Sequence, residues 1–248
     1  MPIIETKHLF GEVKNREQKV FDLVEGIFPG LPPQAVYYEL LQQGLLQKGK
    51  LELSLNVWAI AELELGRLMQ EWKGPDVPVY IFPITNSAVK NGVAYQGGIC
   101  LFVSARVTVK ELHALLAHEY HHMCRRPLVE EPPTVKDSLI MEGLAEHAVE
   151  SLYGEHALSS WTKRYSMAEV REFWRTHFRP ALNVRWVQNH RAFLYGDDQM
   201  GLPPWIGYCT GYRIVQAFQE RYGPLKQMDL LKVSADEIIA GSGFGDHI

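Results

Sequence analysis

The sequence predicts an α+β fold, and three observations carry that prediction. Apolar residues recur at helical spacing from Asn15 to about Lys73, β-branched and aromatic residues then crowd between Val77 and Val103, and helical spacing resumes after Thr108. Strands and helices are therefore segregated along the chain, not alternating. A small mixed sheet is expected to pack on one long helix, with mainly helical N- and C-terminal parts. Residues 1–75 form a helical N-terminal region in this reading, and 76–248 a second domain that is one compact unit with it or nearly so.

The elements follow in order. Val20, Phe21, Val24, Ile27 and then Val36, Leu40, Leu41 mark helices broken at Pro29-Gly30 and Pro32-Pro33, with three expected before Lys73-Gly74-Pro75. Val77-Pro-Val-Tyr-Ile-Phe-Pro-Ile84 reads as a strand. Asn91-Gly92 reads as a turn, and Val93-Ala-Tyr-Gln and Ile99-Cys-Leu-Phe-Val103 read as two strands joined tightly at Gly97-Gly98. Thr108-Val-Lys-Glu111 has the form of a capping box, in which hydroxyl and carboxylate satisfy each other's orphan amides, and opens a helix to about Arg125 that Pro127 stops. Thr134-Val-Lys-Asp137 repeats the pattern and opens a helix ending near Gly154. Further helices are expected over Ser160 to His177, Pro204 to Tyr222 and near Ala235.

Composition excludes several functions. Hydrophobic residues make up 46% and charged residues 22% of 248, so the chain has the means to bury a core. With 25 Lys plus Arg against 29 Asp plus Glu, the formal charge of -4 gives no basic field for a polyphosphate backbone, and nucleic acid is not an expected partner. Cys100, Cys124 and Cys209 are odd in number and far apart, which fits reduced thiols and a cytoplasmic location. No signal-like start and no run of about 18 apolar residues occurs, so no membrane association is expected.

The chemistry lies in His118-Glu119-Tyr120-His121-His122. Residues four apart on a helix differ by about 40° around it and one turn along it, so His118 and His122 project from one face and can share a metal ion. Imidazole nitrogens suit Zn²⁺. Glu119, about 100° round from His118, can reach a water at an open coordination position and act as general base.

A catalytic zinc takes a third protein ligand. The arrangement with a third His six residues after the second is excluded, because Arg125 and Leu128 occupy the corresponding positions. Glu142 lies 20 residues after His122, far enough for its helix to pack back, and it is the expected third ligand; Glu146, His147 and His121 are the alternatives. Gly143 removes a side chain where two helix backbones need to approach closely. Glu146, one turn on, suits a hydrogen bond to the Nδ1 proton of a ligating histidine. His147, about 140° round the helix from Glu142, faces elsewhere.

This order, His118-Glu119-x-x-His122 followed by Glu142, resembles the gluzincin metallopeptidases, of which thermolysin is the familiar member. The longer pattern adds Lys110 to Leu116, Glu142-Gly-Leu-Ala-Glu-His and Gly207-Tyr-Cys-Thr-Gly-Tyr-Arg-Ile-Val, and is similar to the YjaZ-like family of predicted bacterial zinc-dependent proteases over about residues 75 to 225. The resemblance implies a zincin-like core, one Zn²⁺ per chain and a peptide or protein substrate. It also implies that an acidic residue four positions after the ligand Glu supports a histidine; Glu146 stands there in place of the thermolysin Asp.

Such a site also needs an edge strand for an extended peptide and a donor for the oxyanion. Asn91 to Gln96 is the expected edge strand, with Val93, Ala94 and Tyr95 as its substrate-binding residues, and Tyr208 or Tyr212, one turn apart with His190 and Arg213 behind them, are the expected donors. Ala94, Phe102, Leu115 and the segment from Trp205 to Tyr212 are expected to line apolar side-chain pockets. The alternative function is a non-catalytic zinc-binding or protein-interaction domain with the same fold.

Overall fold

The computed structural model describes residues 3–84, 89–185 and 187–245, and divides the chain into two compact units, 1–123 and 124–248. In the first, α1 (Arg16–Val24), α2 (Pro33–Gln42) and α3 (Val57–Trp72) precede β1 (Val79–Pro83), β2 (Lys90–Tyr95) and β3 (Gly98–Val103), and α4 (Val109–Arg125) follows, its last two residues counting with the second unit. The helices expected at 1–75 thus belong with the sheet.

Among the described residues the sheet has three strands in the order β1-β3-β2, with β1 parallel and β2 antiparallel to β3. Period-two alternation gives it two faces. Tyr80, Phe82, Cys100 and Phe102 bury against Leu9, Val20, Val24, Val36 and Leu40 of the N-terminal helices. Ile81, Ile99, Leu101 and Val103 are fully buried on the other face, where α4 lies: Lys90 Nζ donates to Glu111 O at 3.2 Å. β2 is an edge strand and the least buried of the three.

Two sequence expectations fail in this unit. Asn91-Gly92 is no turn but lies inside β2, paired with Phe102 and Leu101. Phe102 lines no pocket, because its register puts it in the core with Phe82, the ring centroids 5.7 Å apart. The expected capping box holds: Thr108 N and Oγ1 donate to Glu111 Oε2 at 2.8 Å, and Glu111 N donates back to Thr108 Oγ1 at 3.2 Å.

The second unit is helical: α5 (Val135–Tyr153), α6 (Met167–Phe173), α7 (Arg179–Ala181), α8 (Val187–Tyr195), α9 (Ile206–Tyr222), α10 (Gln227–Leu230) and α11 (Ala235–Gly241). The expected helix from Ser160 to His177 is broken into a 3₁₀ turn at Ser160–Lys163, α6 and a π-helical turn at Trp174–Phe178. The box Ser166/Glu169 starts α6 where the longer pattern concealed a break. α8 has no counterpart in the sequence reading. α9 starts at Ile206 and not Pro204 because Trp205 adopts φ 65°, a left-handed conformation that ends the preceding loop.

α5 and α9 cross with almost no separation. A Cβ on Gly143 would lie 2.2 Å from Gly211 O, and one on Gly211 2.0 Å from Leu139 O. The close approach expected at Gly143 is therefore to α9. Around it Leu139, Ile140, Leu144, Ile214, Val215 and Phe218 form the unit's core. No described helix is long and apolar enough to cross a membrane.

Candidate metal centre

α4 presents two faces of different chemistry. Tyr120 and His121 pack on α3: Tyr120 stacks on Trp72 with centroids 5.9 Å apart and donates to Pro75 O at 3.0 Å, while His121 meets the Trp72 ring edge-on at 5.5 Å. This fixes the helix's rotation. His118 and His122 then fall on another face with their rings perpendicular and 4.7 Å apart, as spacing by one turn requires. His122 is buried and His118 half-buried.

Glu119 is also buried, at 6% exposure, and its neighbour is the edge strand. A Cβ on Gly92 would lie 2.7 Å from both Cγ and Oε1 of Glu119. On β2 the alternation puts Gly92 and Ala94 on this side and Asn91, Val93 and Tyr95 on the other. Asn91 Nδ2 donates to Gln43 O at 3.0 Å and Tyr95 Oη to Glu39 Oε1 at 3.0 Å, which ties that side to α2 and its end. Burial pushes the Tyr95 hydroxyl and the Cys100 thiol far up, and the charges of Glu39 and Glu119 add to both shifts, so both groups stay protonated. Of the three expected strand residues, Ala94 alone shares the Glu119 side.

On α5, Glu142 precedes the Gly143 crossing. Glu146, 2% exposed, accepts from Ser159 Oγ at 2.6 Å and Ser159 N at 3.1 Å. The sequence reading missed Ser159, for nothing marks a loop serine 13 residues on as a partner. His147 is held below the usual histidine range, chiefly by burial. On α9, Tyr212 is buried and donates to Glu150 Oε2 at 2.9 Å, and desolvation and that carboxylate raise its pKa. Tyr208 lies among Trp161, Tyr195 and Trp205, with ring centroids 5.1 to 5.2 Å away. His190 is not held by these tyrosines: its Nδ1 meets Ser138 Oγ at 2.7 Å and its Nε2 meets Val184 O at 3.0 Å.

Among the described residues, His118, His122 and Glu142 form a group able to hold a metal ion, each offering one ligand atom and all of these within 4.8 Å of one another. His121, Glu146 and His147 are not in it. Bonds of about 2.0 to 2.1 Å in a tetrahedron put ligand atoms about 3.3 Å apart. Two imidazoles and a carboxylate are borderline donors that suit Zn²⁺ better than Ca²⁺ or Mg²⁺, which take mostly oxygen.

Residues 57–240 match the family described as a predicted Zn-dependent protease, DUF2268. The chain is 31% identical over 165 residues to the uncharacterized protein YjaZ of Bacillus subtilis (strain 168), covering 61% of this chain and 62% of that protein. It is 26% identical over 160 residues to the uncharacterized protein YjfC of the same strain, covering 58% of this chain and 53% of that one. The chain thus spans about three fifths and about half of the length of these two relatives. It belongs to the predicted Zn-dependent protease family.

Proposed function

We propose that this member of the predicted Zn-dependent protease family is a zinc metallopeptidase of gluzincin type with a zincin-like core. The observation that carries the reading is the convergence of His118, His122 and Glu142, with the Glu119 carboxylate next in sequence to the first of them. Zn²⁺ in that site supplies Lewis acidity towards a peptide carbonyl and lowers the pKa of water. The rest is work for the chain's own side chains.

Glu119 is the general base. Its carboxylate takes the proton of the attacking water and delivers it to the leaving amine, so one group serves both halves of the reaction. Gly92 gives it room and burial restricts its rotamers. Glu146, anchored by Ser159, supports a ligating histidine. Tyr208 and Tyr212 are the candidate oxyanion donors, and the hydroxyl of Tyr212 donates to Glu150. The substrate is an extended peptide with an apolar residue near the scissile bond, paired along β2 at Val93 to Tyr95, as the strand's edge position favours. The catalytic residues lie within 76–248, and the protein acts in the cytoplasm and needs no nucleic acid or membrane partner.

The test is metal analysis of the purified chain beside hydrolysis of a peptide library. About one zinc per chain with hydrolysis that a chelator abolishes is expected. Zinc binding without hydrolysis gives the non-catalytic reading, and absence of zinc after purification in zinc-containing buffer sinks both.

A further inference from the structure

We infer that Gly92 is a positioning residue: by lacking a side chain it lets the Glu119 carboxylate lie against the edge strand and fixes its aim. The inference rests on the peptidase reading of Glu119. Three observations carry it. First, Gly92 sits in the middle of β2, at the Leu101 register position, and its φ is outside the left-handed range, so the backbone there does not require glycine. Second, a glycine inside a strand weakens it, which calls for a compensating reason such as close approach by another group. Third, the group that approaches most closely is Glu119: the three nearest atoms to an added Cβ are its Cγ and Oε1 at 2.7 Å and Cδ at 2.9 Å.

Cβ atoms essentially never approach heavy atoms below 3.0 Å, so a side chain at 92 forces a shift, for which the Glu119 side chain is freer than the paired strand. Glu119 is 6% exposed, which leaves it few alternative rotamers. A reacting group moved by 1 Å costs on the order of 100-fold in rate. Gly92 touches neither substrate nor metal in this account; it acts through Glu119.

The experiment compares the parent with Gly92→Ala, Glu119→Ala and the double variant, each zinc-loaded. Two quantities are read: kcat and KM on a peptide, and the affinity for acetohydroxamate by calorimetry. Acetohydroxamate is a small metal chelator whose N–OH hydrogen-bonds to a correctly aimed carboxylate, so it reports Glu119 without turnover. Gly92→Ala is expected to keep its zinc, lose about 10- to 100-fold in kcat with KM within about threefold, and bind acetohydroxamate about tenfold more weakly. In the Glu119→Ala background the same substitution should change neither zinc content nor acetohydroxamate affinity.

An unchanged kcat and hydroxamate affinity in Gly92→Ala, or equal weakening in both backgrounds, overturns the inference. If Gly92→Ala does not fold, a folded double variant supports it and an unfolded one overturns it, since only the double variant lacks the clash with Glu119. A zinc-loaded parent that cleaves no peptide sinks the peptidase reading alone, because the hydroxamate comparison still decides whether Gly92 aims Glu119.

Discussion

Gly92 lies against the Glu119 carboxylate and Gly143 follows Glu142 in sequence, but they make room for different kinds of neighbour. Against Gly92 lies the end of a side chain, Glu119 Cγ and Oε1, whereas against Gly143 lies backbone, Gly211 O and C and Tyr212 N. A side chain can turn away at the cost of its aim, while a helix backbone moves only with everything packed on it. The first glycine therefore controls where a carboxylate points, and the second controls whether the α5–α9 pair closes at all. The comparison separates function from stability within one family of substitutions.

The largest expected effect sets the functional scale. Glu119→Gln keeps size and hydrogen bonding but loses basicity, so peptide hydrolysis should fall by about 10²- to 10⁴-fold with zinc content and urea midpoint unchanged. Parental activity in that variant would remove Glu119 as base and, with it, any functional meaning of the room left at Gly92.

Next comes the metal. Glu142→Ala should weaken zinc binding more than Glu146→Ala, which is expected to cost about 10- to 100-fold as loss of a hydrogen-bonded support. Ser159→Ala, which removes one of the two Ser159 hydrogen bonds to Glu146, should follow Glu146→Ala at a smaller amplitude. Zinc competition with a chromophoric chelator orders the three, and a reversed order of Glu142 and Glu146 would mean that their roles are exchanged.

The structural half of the comparison is tested by Gly143→Ala. The added Cβ would lie 2.2 Å from Gly211 O, so the helices must separate, at an expected cost of about 3 kcal/mol or more in urea unfolding. Gly92→Ala should cost visibly less by the same measurement. If the two destabilise equally, the distinction between a yielding side chain and an unyielding backbone fails.

What the sequence disclosed follows the same division between local and distant partners. The boxes at Thr108 and Thr134, the tight hairpin, which closes at Gln96-Gly97 one residue before the expected Gly97-Gly98, and the one-turn spacing of His118 and His122 depend on residues within a few positions, and they could be read directly. Glu142 came from spacing plus the need for a third ligand. Asn91-Gly92 has the same composition as a hairpin turn, and its real partner, Glu119, is 27 positions away, so local chemistry pointed to the wrong role. Ser159 as the anchor of Glu146 and Gly211 as the partner of Gly143 are distant for the same reason. The left-handed Trp205 was hidden too, since a bulky aromatic residue seldom adopts φ of 65° and does so here where its N–H reaches Tyr195 O at 2.9 Å.

The smallest effect concerns pH and sharpens the structural side, because Ser138, one residue before Leu139 on α5, hydrogen-bonds a titratable residue of α8, His190, and the Leu139 carbonyl faces Gly211. His190 is fully buried, with Nε2–H donating to Val184 O and Nδ1 accepting from Ser138 Oγ, so both nitrogens are used in the neutral ring. Burial holds its pKa below the ordinary 6.5, outweighing the opposing hydrogen bond to Val184 and the charge of Asp137. The unfolded ring therefore binds a proton at higher pH than the folded one, and between the two pKa values the unfolded state holds more protons. Stability should be full above about pH 6.5 and decline as pH falls below it, with His147 adding in the same direction. Glu169 and Glu237, held below 4.5 by their capping serines, titrate outside that window. The measurement is the urea midpoint of chelator-treated protein between about pH 5 and 7.5 for the parent and His190→Gln, the latter expected to lose part of the slope. An identical slope in both would mean that His190 is not held neutral in the folded state, and that α5 is secured against α9 by the glycine crossing without help from Ser138.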